Sequence, residues 1–84
     1  MTNKLIATND LYSTSDLGTA TLLSLYFPIH SIDTANPRKA VFYFNRSTDL
    51  NDILRQFWSK ELLIEPLSFL SQLKIVKTRL YQGK

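Results

Sequence analysis

The chain has 84 residues, room for one domain and not for a second core. Its 44% apolar and 12% aromatic content is that of a globular chain, not a disordered one. The absence of cysteine removes disulfides, thiol nucleophiles and cysteine-ligated zinc, and the net charge of +3 is a mild excess.

Residues 1–13 read as a flexible N-terminal segment or a short strand at Lys4–Thr8, followed by one α+β domain over 14–84. Ser13-Thr14-Ser15-Asp16 then looks like a helix start, with hydroxyls to accept from free N–H groups and Asp16 at the positive end of the dipole. The helix carries Leu17, Ala20, Leu23 and Phe27 at spacings of three and four, beside Leu22, Leu25 and Tyr26, and Pro28 ends it. A hairpin follows. Ile29–Asp33 is β-branched and alternating, Thr34–Pro37 is turn chemistry, and Lys39–Asn45 is the most strand-like run in the chain.

On that second strand Val41 and Tyr43 share one face, while Ala40, Phe42 and Phe44 share the other. Either the strand is central with both faces covered, or one aromatic face is left for a ligand. Ser47-Thr48-Asp49 caps a second helix with the stripe Leu50, Ile53, Leu54, Phe57 and Trp58, leaving Arg55 and Lys60 towards water. Leu62–Ile64 reads as a short strand, and Pro66 suits the first turn of a third helix. There Phe69, Leu73, Val76 and Leu80 face inward with Leu70 beside them, and Lys74, Lys77, Thr78 and Tyr81 form a separate face.

The expected order is (β)αββα(β)α, a central β-hairpin packed by three helices. If both bracketed strands form, the first six elements make a ferredoxin-like split arrangement with an added C-terminal helix. RNA-recognition domains share that topology and stack bases on aromatics of the third strand, here Arg38–Asn45. That run lacks the glycine of the ribonucleoprotein motif, and covering of Phe42 and Phe44 by helices is the expectation.

Charge is uneven along the chain. Pro66 to Lys84 holds four bases and no acid, whereas residues 1–65 hold six bases and all seven acids. Such a cationic end is the electrostatic footprint of a polyanion or an acidic protein surface. The candidate nucleic-acid-binding residues are Arg38, Lys39 and Arg46 flanking the hairpin and Lys74, Lys77 and Arg79 on the last helix, with Tyr43 and Tyr81 to stack on bases. They form one surface only if hairpin and helix converge.

Catalytic chemistry has little to work with. His30 is the only histidine, no nucleophile-elbow sequence is present, and the two glycines, Gly18 and Gly83, make no phosphate loop. The carboxylate pairs Asp49/Asp52 and Glu61/Glu65 read as dipole and solubility charges. No catalytic residue, metal ligand, cofactor or small-molecule substrate is expected. Met1–Asp10 lacks the apolar core of a signal peptide, and the run Leu22–Ile29 is broken by Ser24 and Pro28. A cytoplasmic location without a membrane partner is expected. The leading expectation is a non-catalytic nucleic-acid-binding or accessory domain; the alternative is a protein-interaction module, homodimeric through the hairpin edge or an aromatic surface.

Thr14-Ser-Asp-Leu17, Ile32-Asp33, Asn36-Pro-Arg-Lys-Ala-Val-Phe42, Phe57-Trp58, Pro66 and Arg79-Leu-Tyr81 resemble a family of short bacterial and phage proteins known only as a domain of unknown function. The resemblance covers residues 13–81. It implies a small α+β domain with Asn36-Pro37 as the turn and Phe57-Trp58 in the core, and it implies no activity.

Overall fold

The computed structural model describes residues 10–36 and 38–82. Three strands, β1 (Leu11–Thr14), β2 (Ser31–Asp33) and β3 (Val41–Asn45), and three helices, α1 (Leu17–Ser24), α2 (Thr48–Trp58) and α3 (Pro66–Gln82), follow in the order β1-α1-β2-β3-α2-α3. The sheet order is β1-β3-β2, with β3 antiparallel to both neighbours. The two edge strands are therefore parallel to each other and joined by α1, a split βαβ unit with β3 inserted. This is the strand order of the first half of a ferredoxin-like fold.

Register decides which face is buried. Tyr12 lies opposite Phe44, Thr14 and Ile32 lie opposite Phe42, and these residues share one face. Phe42 and Phe44 are fully buried there, packed with Ala20 and Leu23 of α1, Leu50 and Leu54 of α2 and Val76 of α3. The domain is thus two layers, a sheet with helices on one side. Each buried ring contributes roughly 1.5–3 kcal/mol by leaving water. The expectation that helices cover Phe42 and Phe44 holds. Tyr43 and Val41 sit half-buried on the opposite face, beside Ser13, Ser31 and Asp33.

The helix starts follow the sequence signals. Asp16 caps α1, its Oδ2 accepting from Thr19 N–H at 2.9 Å and Thr19 Oγ1 at 2.6 Å. Ser47 caps α2 by accepting from Leu50 N–H at 3.0 Å. Glu65 does the same before Pro66, its carboxylate accepting from Leu67 and Ser68 N–H at 3.0 and 2.8 Å. These bonds hold both the Asp16 and the Glu65 carboxyl below the ordinary range. Glu65 is therefore more than a solubility charge. α3 leans on α1 through Gln72, which donates to Ser24 Oγ at 3.0 Å.

Three expectations need correction, and one lies outside the described residues: the strand at Lys4–Thr8. The first strand described is Leu11–Thr14, which begins inside the segment read as a flexible N-terminus or a short strand. Leu62–Ile64 is not a strand. The N–H groups of Glu61 and Leu62 both bond Gln56 C=O, so this chain is still wrapped on the end of α2 and has too few residues left to reach a sheet edge. Among the described residues the ferredoxin-like arrangement consequently stops at three strands. α1 ends at Ser24 rather than at Phe27, because a tight final turn (Leu25 N–H to Leu22 C=O, Tyr26 N–H to Leu23 C=O) closes it ahead of Pro28. Finally, Phe57 and Trp58 are not core residues: Phe57 is 36% and Trp58 63% exposed. Leu50, Leu54 and Ile53 take up the packing surface of α2, and its last turn lies beyond it.

Candidate nucleic-acid interface

The two ends of β3 carry the hairpin's bases, and they differ. At the first end, side chains fold the turn on itself. Asp33 Oδ1 accepts from Ala35 N–H and Asn36 Oδ1 accepts from Arg38 N–H, both at 2.9 Å, and Lys39 N–H returns to Asn36 C=O at 3.1 Å. Pro37 itself lies outside the described residues. This geometry presents Arg38 and Lys39 to solvent just before the strand begins.

The C-terminal end of α3 arrives beside them. Leu80 packs against the core, and its neighbour Tyr81 stays 63% exposed. Arg38, Lys39, Ala40, Leu80 and Tyr81, with Thr34 and Asn36, line one depression of about 170 Å³. Lys77 and Lys74 are exposed four and seven residues before Tyr81 and share its face of the helix. Arg79 is exposed as well, but two residues from Tyr81 means about 200° round the axis, on another side. Among the described residues, Arg38, Lys39, Lys74, Lys77 and Arg79 form no ion pair.

At the other end of β3 the cations are already answered. Arg46 Nη1 donates to Asn51 Oδ1 at 2.7 Å, its Nε is 3.9 Å from Asp10 Oδ1, and its guanidinium lies 5.2 Å from the centre of the Tyr12 ring. Arg55 reaches Asp52 at 2.7 Å and Glu61 at 3.6 Å. The hydrogen bond from Arg55 holds the Asp52 carboxyl below its usual range, and the same bond raises the guanidinium. Tyr12, Arg46, Leu54, Arg55 and Trp58 line an open groove of about 540 Å³ at this end.

The structure therefore brings together Arg38, Lys39 and Tyr81, with Lys74 and Lys77 along the same helix. It leaves out Arg46, on the order of 20 Å away along an extended strand. Tyr43 is also apart, on the sheet face opposite the helices. Two partners of the groove, Tyr12 and Trp58, escaped the sequence reading. Tyr12 and Thr14, strand-favouring residues two apart, were a signal for the strand that positions Tyr12, and the Ser- and Thr-rich surroundings masked it.

Elsewhere, His30 Nδ1 lies 3.1 Å from Ser31 Oγ, while the nearby Asp33 is engaged in the turn. Among the described residues no three acidic or histidine side chains gather as they would round a metal ion, and no helix is long and apolar enough to cross a membrane.

These features define a small α+β domain, a three-stranded antiparallel sheet with three helices on one face and a cationic depression at one end. The chain belongs to the family described as Domain of unknown function (DUF5659), whose model matches residues 9–82. No curated protein and no solved structure matches it.

Proposed function

We propose that this chain is a non-catalytic nucleic-acid-binding or accessory domain of the cytoplasm, working through the end of the molecule formed by the hairpin turn and α3. One observation carries the reading: Arg38 and Lys39 share a depression with Tyr81, on the helix face that also bears Lys74 and Lys77. Four cations with no carboxylate partner among the described residues, beside an exposed ring, are what a phosphate backbone with bases requires. Arg46, Arg79 and Tyr43 fall outside this surface. The test is binding of labelled single- and double-stranded oligonucleotides across a salt series. Four phosphate contacts predict that log K falls with log salt at a slope of roughly −3. Absence of binding at low salt, or binding indifferent to salt, overturns the reading.

A protein-interaction module is the second reading. Leu63, in the segment before α3, is 91% exposed, and Leu67 and Leu70, three apart on α3, are exposed as well. Exposed leucines so close along the chain mark a contact surface. Sedimentation across a concentration range tests self-association, for which a strict monomer is the negative result.

A further inference from the structure

The basic end has a shape as well as a charge, and its shape bears on which nucleic acid fits. On the reading proposed above, we infer that the ligand is single-stranded and that one unstacked base sits in the depression against Tyr81. Its apolar lining comes from Ala40 and Leu80, both half-buried, and from the exposed Tyr81 ring. Its polar lining comes from Thr34, Asn36, Arg38 and Lys39. Asn36 has committed its Oδ1 to Arg38 N–H, so its side-chain N–H groups remain as donors, next to the Thr34 hydroxyl. A volume of about 170 Å³ holds one flat ring and its substituents.

The surrounding charge suits the same ligand. Lys77 and Lys74 lie about 6 and 10.5 Å from Tyr81 along the axis of α3, and Arg38 and Lys39 rim the depression from the turn. A backbone running along the helix would be neutralised on both sides of the seated base. In a duplex the bases are stacked and paired, so it could use the lysines but not the ring. The wider groove at the other end offers Trp58 as a platform, yet Asp10, Asp52 and Glu61 already neutralise its two arginines.

The experiment compares an oligothymidylate of about ten nucleotides with a duplex of equal length, using the whole chain and three variants. The wild type is expected to bind the single strand at least tenfold more tightly. Tyr81→Ala should weaken single-strand binding roughly 5- to 150-fold, the worth of one base stacked on an aromatic, and leave duplex binding unchanged. Tyr81→Phe, which keeps the ring, should bind like wild type. Lys74→Ala combined with Lys77→Ala should weaken both ligands and flatten the salt dependence. Circular dichroism of each variant excludes unfolding as the cause. Equal affinity for the two ligands, with Tyr81→Ala silent, overturns the single-strand inference and leaves the basic-end reading standing. If neither ligand binds the wild type at low salt, that reading falls and the inference falls with it.

Discussion

The two ends of β3 hold the same kind of residue in opposite circumstances. Arg38 and Lys39 stand at the first end with no ion pair among the described residues, and the cationic helix α3 comes to meet them. Arg46 stands at the other end held by Asp10, Asn51 and Tyr12, with Arg55 nearby between Asp52 and Glu61. A count of charges along the chain treats these bases alike. Electrostatic attraction does not, because a guanidinium with a carboxylate beside it presents little net field to a distant anion. The lesson is that pairing, set by the fold, turns a mild excess of +3 into one cationic end and one neutral end.

The contrast exists only while β3 holds its ends apart, and Phe44 is the residue on which that depends. Its ring is fully buried between the sheet and the helices. Phe44→Ala should cost about 3–5 kcal/mol, read as a shift in the urea midpoint, and that is enough to leave so small a domain largely unfolded. A loss below about 1 kcal/mol would mean that β3 is not the spine of the core.

Next in size is the direct comparison of the ends. Arg38→Ala combined with Lys39→Ala should reduce the salt slope for single strands by roughly 1.4, a step of about 0.7 for each phosphate left without its cation. Arg46→Ala should leave the slope unchanged. An equal reduction from both variants would show that the paired end also binds and would end the distinction.

Acid sharpens it. Asp16 accepts from the Thr19 hydroxyl and backbone N–H at the start of α1, Glu65 accepts from backbone N–H groups at the start of α3, and Asp52 accepts from Arg55; all three are held below their ordinary values. A carboxyl with a lower pKa in the folded state stabilises the fold above its unfolded value, near pH 4, and loses that contribution as the pH falls through the folded value. The melting temperature should therefore drop steadily below about pH 4, as the caps lose their charge. Asp16→Asn keeps a side chain able to cap but cannot titrate, so it should flatten part of the drop. A melting temperature indifferent to pH between 7 and 3 would remove these carboxylates from the stability of the fold. Protonation of Asp52 also frees Arg55, so binding in acid should become less confined to the turn end.

What the sequence made legible follows the range of the interactions involved. Caps, turns and the buried faces of β3 and α3 depend on residues within a few positions of one another, and Asp16, Ser47, Asn36, Phe42 and Val76 all behave as their spacing predicts. β1 was missed because Leu11–Thr14 is held by pairing with a strand thirty residues away, and only the register with Phe42 and Phe44 gives it an inward face. The exposure of Trp58 was illegible for a similar reason: its spacing fits the stripe of α2, but whether anything lies beneath the last turn is a matter of tertiary arrangement. Convergence of the turn with α3 could be posed as a condition and not answered, since the two segments are some forty residues apart.

The smallest effect tests Lys60, a cation at the end of α2 with no ion pair among the described residues. Lys60 has a φ of +66°, the left-handed region that favours glycine. It sits where a helix-ending motif needs that conformation: Lys60 N–H bonds Phe57 C=O at 3.1 Å and Glu61 N–H bonds Gln56 C=O at 2.9 Å. Lys60→Gly should thus stabilise the protein by about 1 kcal/mol, seen as a higher urea midpoint. The same change removes a positive charge that, among the described residues, has no carboxylate partner. If binding belongs to the turn end alone, oligonucleotide affinity and its salt slope should stay as they were while stability rises. A variant that gained stability but lost affinity would put Lys60 in contact with phosphate. It would extend the binding surface to the end where Arg46 and Arg55 are neutralised, because affinity there would rest on a base that has no carboxylate partner among the described residues.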